Sequence, residues 1–283
     1  MRTLRPWQAW LLFVVGGGLA QVMGVVMGIV FAIAVARSRG AVTADSIGAA
    51  SKSFAAIAGG VFGVGLTLVA SVLVTLRLAK LPIAETLGLS RPRPAALAAA
   101  CVGVLGTGPM SEILVSCLER VLPRLTLGTL DALKQVFAST PLWMLWPVVA
   151  IVPGLTEELF FRGAFQRAFG AGPKAVLLSG IAFALFHVDP HHAVAVLPVS
   201  IFMAWTAART GCLWVPVIAH VANNSLSVVL VKLGQDVETS EPGRITTPWW
   251  VAVLCVALVG GAVIWLRRTT SRPTHDTSPL SHG

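Results

Sequence analysis

Three short stretches in the second half of the chain carry polar side chains whose types and spacing could do chemistry. The stretches are EELFFR at 157–162, FALFH at 183–187 and HVANN at 220–224. Glu158 and Arg162 are four residues apart, so they share a helix face and can pair, whereas Glu157 is turned about 100° away. His220 and Asn224 share a face for the same reason. The spacing therefore leaves one unpaired carboxylate, two histidines and a carboxamide.

This set of side chains has the composition that peptide-bond hydrolysis needs. The reaction requires a base that activates water and donors that stabilise the developing oxyanion. Glu157 and His187 can supply the base, and His220 and Asn224 can supply the donors. We assign the remaining pair, Glu158 with Arg162, the structural task of holding the helix and fixing Glu157.

The three stretches also resemble the motifs of a known family. EELFFRG is similar to the EExxxR motif, FALFH to the FxxxH motif and HVANN to the HxxxN motif of the CPBP family of intramembrane proteases, which includes the type II CAAX prenyl endopeptidases related to Rce1. The resemblance covers roughly residues 140–232. It implies that Glu157 activates the attacking water with help from His187, and that His220 and Asn224 stabilise the oxyanion. It also implies that Glu158 and Arg162 shape the site.

The elements that must position these residues are membrane helices. The chain is 55% apolar and 12% charged with a mean hydropathy of +0.81, which excludes an ordinary soluble domain. A helix needs roughly 20 residues to cross about 30 Å of hydrocarbon. Apolar runs of that kind occupy about eight stretches, at 8–35, 54–78, 95–117, 141–164, 174–188, 193–209, 213–232 and 248–266. Because the runs are continuous and not alternating, we predict an all-α polytopic membrane helix bundle with about eight transmembrane helices.

The same reading divides the chain into four parts. We expect N-terminal transmembrane helices and loops at 1–139, a catalytic core at 140–232, a last transmembrane helix within 233–268 and a disordered cytoplasmic tail at 269–283. The basic start resembles a signal peptide, but its apolar run continues past residue 30, so a retained first helix is favoured.

The basic residues predict the orientation of the bundle. With eight spans, thirteen of the 21 Lys and Arg residues fall in the loop set that contains both termini. The positive-inside rule then places both termini in the cytoplasm, and we expect the membrane to be a bacterial cytoplasmic membrane. The site would open toward the cytoplasmic leaflet if the loop after the fourth helix is cytoplasmic. The charge of +9 is spread over helix ends without a basic stripe, so no nucleic-acid partner is expected.

A metal remains an alternative at this stage. Two histidines and a carboxylate form a known zinc set, so Glu157, His187 and His220 could hold zinc. The sequence has no HExxH spacing, and a glutamate-activated water needs no metal, so we favour a site without a required cofactor. A second metal candidate, HVDPHH with Asp189, His191 and His192, is interpreted as a loop at the membrane edge because Pro190 breaks a helix.

Other side chains receive structural interpretations. Gly24 with Gly28 and Gly59 with Gly63 form small-xxx-small pairs that predict close helix packing. Ser111 and Glu112 could face the cavity. Four tryptophans are expected to be interfacial anchors, namely Trp143, Trp146, Trp249 and Trp250.

The sequence therefore predicts an intramembrane endopeptidase that cleaves a hydrophobic or lipidated protein substrate. Two other classes stay open. One is a non-proteolytic scaffold or chaperone on the same fold, and the other is an ion-coupled transporter that uses Glu157 and Glu158.

Overall fold

The protein is a bundle of apolar helices, seen in a computed structural model that describes residues 3–40, 42–122, 136–233 and 244–270. No strand occurs within these ranges. The helices are α1 (Pro6–Ser38), α2 (Ala44–Ala50), α3 (Phe54–Leu78), α4 (Ile83–Leu87), α5 (Pro94–Glu119), α6 (Leu142–Phe169), α7 (Pro173–Phe186), α8 (Pro190–Thr210), α9 (Trp214–Lys232) and α10 (Trp249–Thr269). Over the described residues, seven of them are long and apolar enough to cross a membrane. The predicted all-α polytopic bundle is confirmed.

Helix α7 is the short member of the bundle. The predicted fifth span ran from 174 to 188, but the helix comprises 14 residues and ends at Phe186. At 1.5 Å per residue it is roughly 21 Å long, less than the hydrocarbon thickness of about 30 Å. It is therefore too short to cross the hydrocarbon by itself.

Helices α1 and α3 approach each other through glycines, as the small-residue pairs predict. A methyl group added at Gly24 would lie 2.5 Å from the Val64 side chain, and one added at Gly63 would lie 2.7 Å from the main-chain oxygen of Met23. A β-carbon at Gly24 would require the Val64 side chain to move, and one at Gly63 would require the main chain of α1 to move. Close packing at this pair is confirmed.

Contacts between helix ends define two faces of the bundle. On one, which we call the arginine face, Arg93 donates to the main-chain oxygen of Thr269 at 2.9 Å and Arg167 to that of Gly211 at 2.6 Å. Thr3, just before α1, lines a small cavity with Arg167 and Gly211. The start of α1 and the end of α10 therefore share the arginine face. Which face is cytoplasmic stays a prediction from the basic residues.

On the opposite face, His191 at the start of α8 contacts the main-chain oxygen of Leu122, which follows α5, at 2.9 Å. The chain therefore returns from the arginine face to the opposite face between the end of α6 and the start of α8, through α7 and the connection at 187–189. Counted with the seven long helices, this crossing gives a total near eight.

Three details differ from the sequence predictions. Pro190 does not break a helix but begins α8, whose first turn is capped by Asp189 accepting from the main-chain nitrogen of His192 at 2.7 Å. Glu112 does not face a cavity, because its carboxylate accepts from Thr246 and Thr247 just before α10. The predicted tail at 269–283 lies, from residue 271 on, outside the described residues.

Candidate active site

A buried ion pair forms the base of the site. Nη1 of Arg162 donates to Oε1 of Glu158 at 2.8 Å, and both side chains are fully shielded from solvent. The pairing predicted from their helical spacing is confirmed. Nδ1 of His220, on α9, lies 2.9 Å from the same oxygen. One carboxylate oxygen thus has two partners, Arg162 on the same helix and His220 on α9, and the second of them joins α6 to α9.

Arg162 is held on its other side by α8. Its Nη2 donates to both the main-chain oxygen and Oγ of Ser200, each at 2.9 Å, and Ser200 in turn donates to the main-chain oxygen of Gly180 at 3.1 Å. The guanidinium lies 4.5 Å from the centre of the Phe183 ring, a cation–π distance. A charge buried in a bundle is expected to be paired and hydrogen-bonded in this way.

Helix α6 is irregular where it carries the site. Segments Pro147–Ile151 and Leu159–Phe165 are π-helical, a form that often marks functional positions. Between them, Pro153 has no N–H and cannot donate to the main-chain oxygen of Val149 four residues earlier. Nδ2 of Asn224 donates to that oxygen instead, at 3.1 Å. An unpaired carbonyl is costly in lipid, so this contact has a structural purpose of its own.

Glu157 points away from this network into a cavity of about 540 Å³. The cavity wall consists of small and aliphatic residues of α1 and α3, closed by parts of α6 and the end of α7. Its members include Gly24, Val25, Gly28, Gly60, Val61, Gly65, Phe186 and His187. Glu157 has no hydrogen-bond partner among the described residues. Adjacent residues of a helix point in different directions. The Glu157 carboxylate therefore faces the cavity, whereas the Glu158 carboxylate is held in the buried ion pair.

His187 is fixed by the way α7 ends. Its Nδ1 lies 2.9 Å from the main-chain oxygen of Phe183. Because a carbonyl only accepts, Nδ1 must carry the proton, and Nε2 is left as an acceptor. The next residue, Val188, has a φ of +62°, a left-handed conformation that costs a β-branched residue roughly 1–2 kcal/mol. Strain at a helix end beside a cavity-facing histidine is typical of a functional site.

The structure brings the predicted site residues together in two groups. Glu157 and His187 line the same cavity. His220 and Asn224 are not among its lining residues, since one faces Glu158 and the other faces α6. The rings of Phe183 and His220 stand 5.7 Å apart, with Phe183 also 4.9 Å from the His187 ring. The Phe183 ring therefore contacts both histidine rings.

The cavity extends in a direction that the sequence did not predict. From Glu157 it runs along α1 toward Ile29 and along α3 toward Ala56, reaching Ser51 before α3. These residues approach the opposite face, whereas the loop after α6 belongs to the arginine face. The cavity lining therefore extends away from that loop, and the leaflet toward which the site opens stays a prediction.

The predicted zinc ligands do not fit a metal ion as they stand. Among the described residues, no three His, Cys, Asp or Glu side chains are grouped closely enough to hold one. This applies to Glu157, His187 and His220, and equally to the residues around Asp189.

Two residues near the site were not singled out from the sequence. Ser200 supports Arg162 from α8, and a serine within an apolar helix gives little signal by itself. Gln21 lines the cavity from α1 and donates to the main-chain oxygen of Phe186 at 2.7 Å. A signal was present in this case, since Gln21 is the sole polar side chain between residues 11 and 36.

Fold and site together define a polytopic α-helical membrane protein with a buried carboxylate–arginine–histidine network beside a carboxylate-lined cavity. The family model described as "Type II CAAX prenyl endopeptidase Rce1-like" matches residues 139–226, so the resemblance predicted from the three motifs is confirmed over that segment. The match contains all six residues assigned to the site from the sequence.

Two curated proteins of Bacillus subtilis (strain 168) are similar to the chain. "Putative membrane peptidase YdiL" is 31% identical over 106 residues, which are 35% of this chain and 41% of that protein. "Uncharacterized protein YyaK" is 24% identical over 158 residues, which are 48% of this chain and 53% of that protein. The chain thus spans about half the length of these relatives. No solved structure shows a significant match.

Proposed function

We propose that the protein is an intramembrane endopeptidase that hydrolyses peptide bonds of membrane-associated substrates. The observation that carries the proposal is that Glu157 and His187 line one cavity, while the neighbouring Glu158 is buried in an ion pair with Arg162. The match to an endopeptidase family over residues 139–226 and the name of the first relative support the same reaction.

The reaction begins with a water molecule between Glu157 and His187. Glu157 takes a proton from the water, and Nε2 of His187 accepts a hydrogen bond that orients it. The water oxygen bonds to the peptide carbonyl carbon, and the carbonyl oxygen becomes an oxyanion. The C–N bond then breaks as the proton held by Glu157 passes to the departing nitrogen. The products are a carboxylic acid and an amine, with one water consumed.

The oxyanion donors proposed from the motifs are His220 and Asn224. These two roles are supported by the resemblance to the family motifs and not by where the side chains lie. Because Nδ1 of His220 faces the Glu158 carboxylate, Nε2 can donate only when the ring carries both protons. Asn224 uses one of its two N–H groups on Val149 and keeps the other.

The cavity favours an apolar substrate. Apart from Gln21, Ser51, Thr156, Glu157 and His187, its wall is made of glycine, aliphatic residues, proline and Phe186. We propose that a hydrophobic or lipidated protein segment enters this space and presents one peptide bond to Glu157. A segment that comes from the bilayer is already out of water, so it would be held here by close packing against the small residues of the wall.

The test uses full-length protein in liposomes with a library of internally quenched decapeptides composed of Ala, Leu and Val. Glu157→Gln and His187→Ala should each lose hydrolysis by at least roughly 10²-fold, since each removes a group that activates water. The matched control is Glu85→Gln, the same chemical change at an exposed position, which should cleave like the wild type.

The cellular counterpart compares the C-termini of membrane proteins in cells that carry either the wild type or Glu157→Gln. New termini should appear with the wild type alone. Hydrolysis by Glu157→Gln at the wild-type rate, or the absence of any peptide cut by the wild type, would refute the proposal.

A further inference from the structure

Gln21 places a carboxamide in the cavity that holds Glu157 and His187. It is on α1, outside the segment that matches the family model, and every neighbouring side chain on its helix from 11 to 36 is apolar. A polar group in a membrane helix is expected to have a partner or a function. The hydrogen-bond partner of Gln21 uses only one of the polar groups of its carboxamide.

The known partner is the end of α7. A helix leaves its last four carbonyls without intrahelical donors. Those of Phe183, Ala184 and Leu185 are satisfied locally, by the ring of His187, the nitrogen of His187 and the nitrogen of Val188. The fourth, that of Phe186, is satisfied by Nε2 of Gln21 at 2.7 Å. Gln21 therefore caps α7 from another helix, one residue before His187.

This bond leaves most of the carboxamide unused. A glutamine side chain has two N–H donors and one oxygen acceptor. One N–H serves Phe186, while the second N–H and Oε1 have no partner among the described residues. The first bond holds the amide nitrogen beside the end of α7, so the second donor is kept near the site without a substrate, which is the property that an oxyanion donor needs.

Neither of the two predicted oxyanion donors lies in the cavity with the second N–H of Gln21. His220 and Asn224 are turned to Glu158 and Val149 and do not line the cavity. We propose that Gln21 is a further substrate-binding residue, which donates its second N–H to the carbonyl oxygen of the peptide bond that the water between Glu157 and His187 attacks. This inference rests on the proposed function and adds a donor from α1 to a site otherwise built from α6, α7 and α9.

The test measures whether Gln21 contacts that carbonyl. Binding is measured by fluorescence anisotropy on full-length protein that carries Glu157→Gln, so that no cleavage occurs. One probe is the Ala/Leu/Val decapeptide that the wild type cuts fastest, and the other is the same decapeptide with a trans-alkene in place of the peptide bond that is cut. Adding Gln21→Met should weaken the amide probe about tenfold, the size of one hydrogen bond, and leave the alkene probe within twofold.

Two further variants complete the design. Gln21→Asn keeps the carboxamide but is one methylene shorter, so it cannot serve Phe186 and a substrate together, and it should show the same selective loss. Arg93→Met removes a comparable side-chain bond to a helix-end carbonyl, at Thr269 on the arginine face. It should affect neither probe. With Glu157 restored, Gln21→Met should lower kcat on the order of 10²-fold.

Equal weakening of both probes by Gln21→Met would show that Gln21 only positions α7 and would overturn the inference, as would unchanged binding of both. Either result would leave the proposed function standing, provided that hydrolysis still depends on Glu157. Hydrolysis independent of Glu157 would instead refute the proposed function itself.

Discussion

Removing the charge of Glu158 should destabilise the fold more than any other single carboxylate change in the described part of the chain. Glu158→Gln leaves Arg162, which is 1% exposed, without its counterion. Breaking a buried ion pair from one side costs about 3–5 kcal/mol, because the remaining charge stays desolvated. A new amide would also stand where Oε2 has no hydrogen-bond partner among the described residues, so a buried donor would go unpaired.

Part of this cost is recovered by the contacts that survive. The glutamine oxygen can still accept from Arg162 and His220, and Arg162 keeps both bonds to Ser200. We therefore expect about 3 kcal/mol, the lower end of that range. Arg162→Met should cost a similar amount, because it leaves the Glu158 carboxylate buried with His220 alone.

A double variant separates the energy of the interaction between Glu158 and Arg162 from the energy of their other contacts. Glu158→Gln combined with Arg162→Met removes both charges, so its cost should fall short of the sum of the single costs by roughly 1–3 kcal/mol. The assay is reversible unfolding in mixed micelles, followed by tryptophan fluorescence. Glu85→Gln, at an exposed position, serves as the control and should stay within about 0.5 kcal/mol of the wild type.

Two outcomes would refute this reasoning. If Glu158→Gln unfolds like Glu85→Gln, the pair does not stabilise the bundle. If the double variant costs as much as the two single variants together, the side chains act independently and the 2.8 Å contact is not the source of the effect.

Three other predictions concern orientation, packing and metal. The orientation is tested in a variant whose four native cysteines are replaced. Ser51→Cys should react with a membrane-impermeant maleimide in intact cells, and Arg93→Cys should react only in inside-out vesicles. The reverse pattern would invert the orientation predicted from the basic residues. Gly63→Ala should lower the melting temperature, because its methyl group would meet a main-chain oxygen at 2.7 Å. Gly28→Ala should not, because its nearest neighbour would be at 3.5 Å, an ordinary van der Waals distance. Treatment with a strong chelator should leave peptide hydrolysis within twofold, since the described residues offer no three-ligand set; loss of activity that zinc restores would contradict this.

The parts of the fold and site that the sequence predicts are those set by local periodicity. Hydropathy over twenty residues locates a membrane helix, and α3 lies where the apolar run predicts it, at Phe54–Leu78. The pairing of Glu158 with Arg162 follows from 3.6 residues per turn and does not depend on what surrounds α6. The turning of Glu157 away from Glu158 follows from the same geometry.

The parts that sequence could not predict depend on which helices meet. The bond from His220 to Glu158 joins residues 62 positions apart, and no local rule selects one carboxylate over its neighbour. Asn224 is drawn to Val149 because Pro153 frees a carbonyl on another helix. The course of the cavity depends on where α1, α3 and α6 leave a gap, and Gln21 enters the site only through α1 lying against the end of α7.

The arrangement of the two adjacent glutamates explains how one turn of α6 can serve both stability and chemistry. Two carboxylates side by side in lipid would repel each other and would both require compensation. Here the compensation is concentrated on Glu158, which has Arg162 and His220 on one oxygen. Glu157 receives no direct partner from the described residues, so its charge can be met only by what enters the cavity. A carboxylate that depends on water for its hydrogen bonds is suited to remove a proton from that water, and the locked neighbour keeps the helix from turning to bury it.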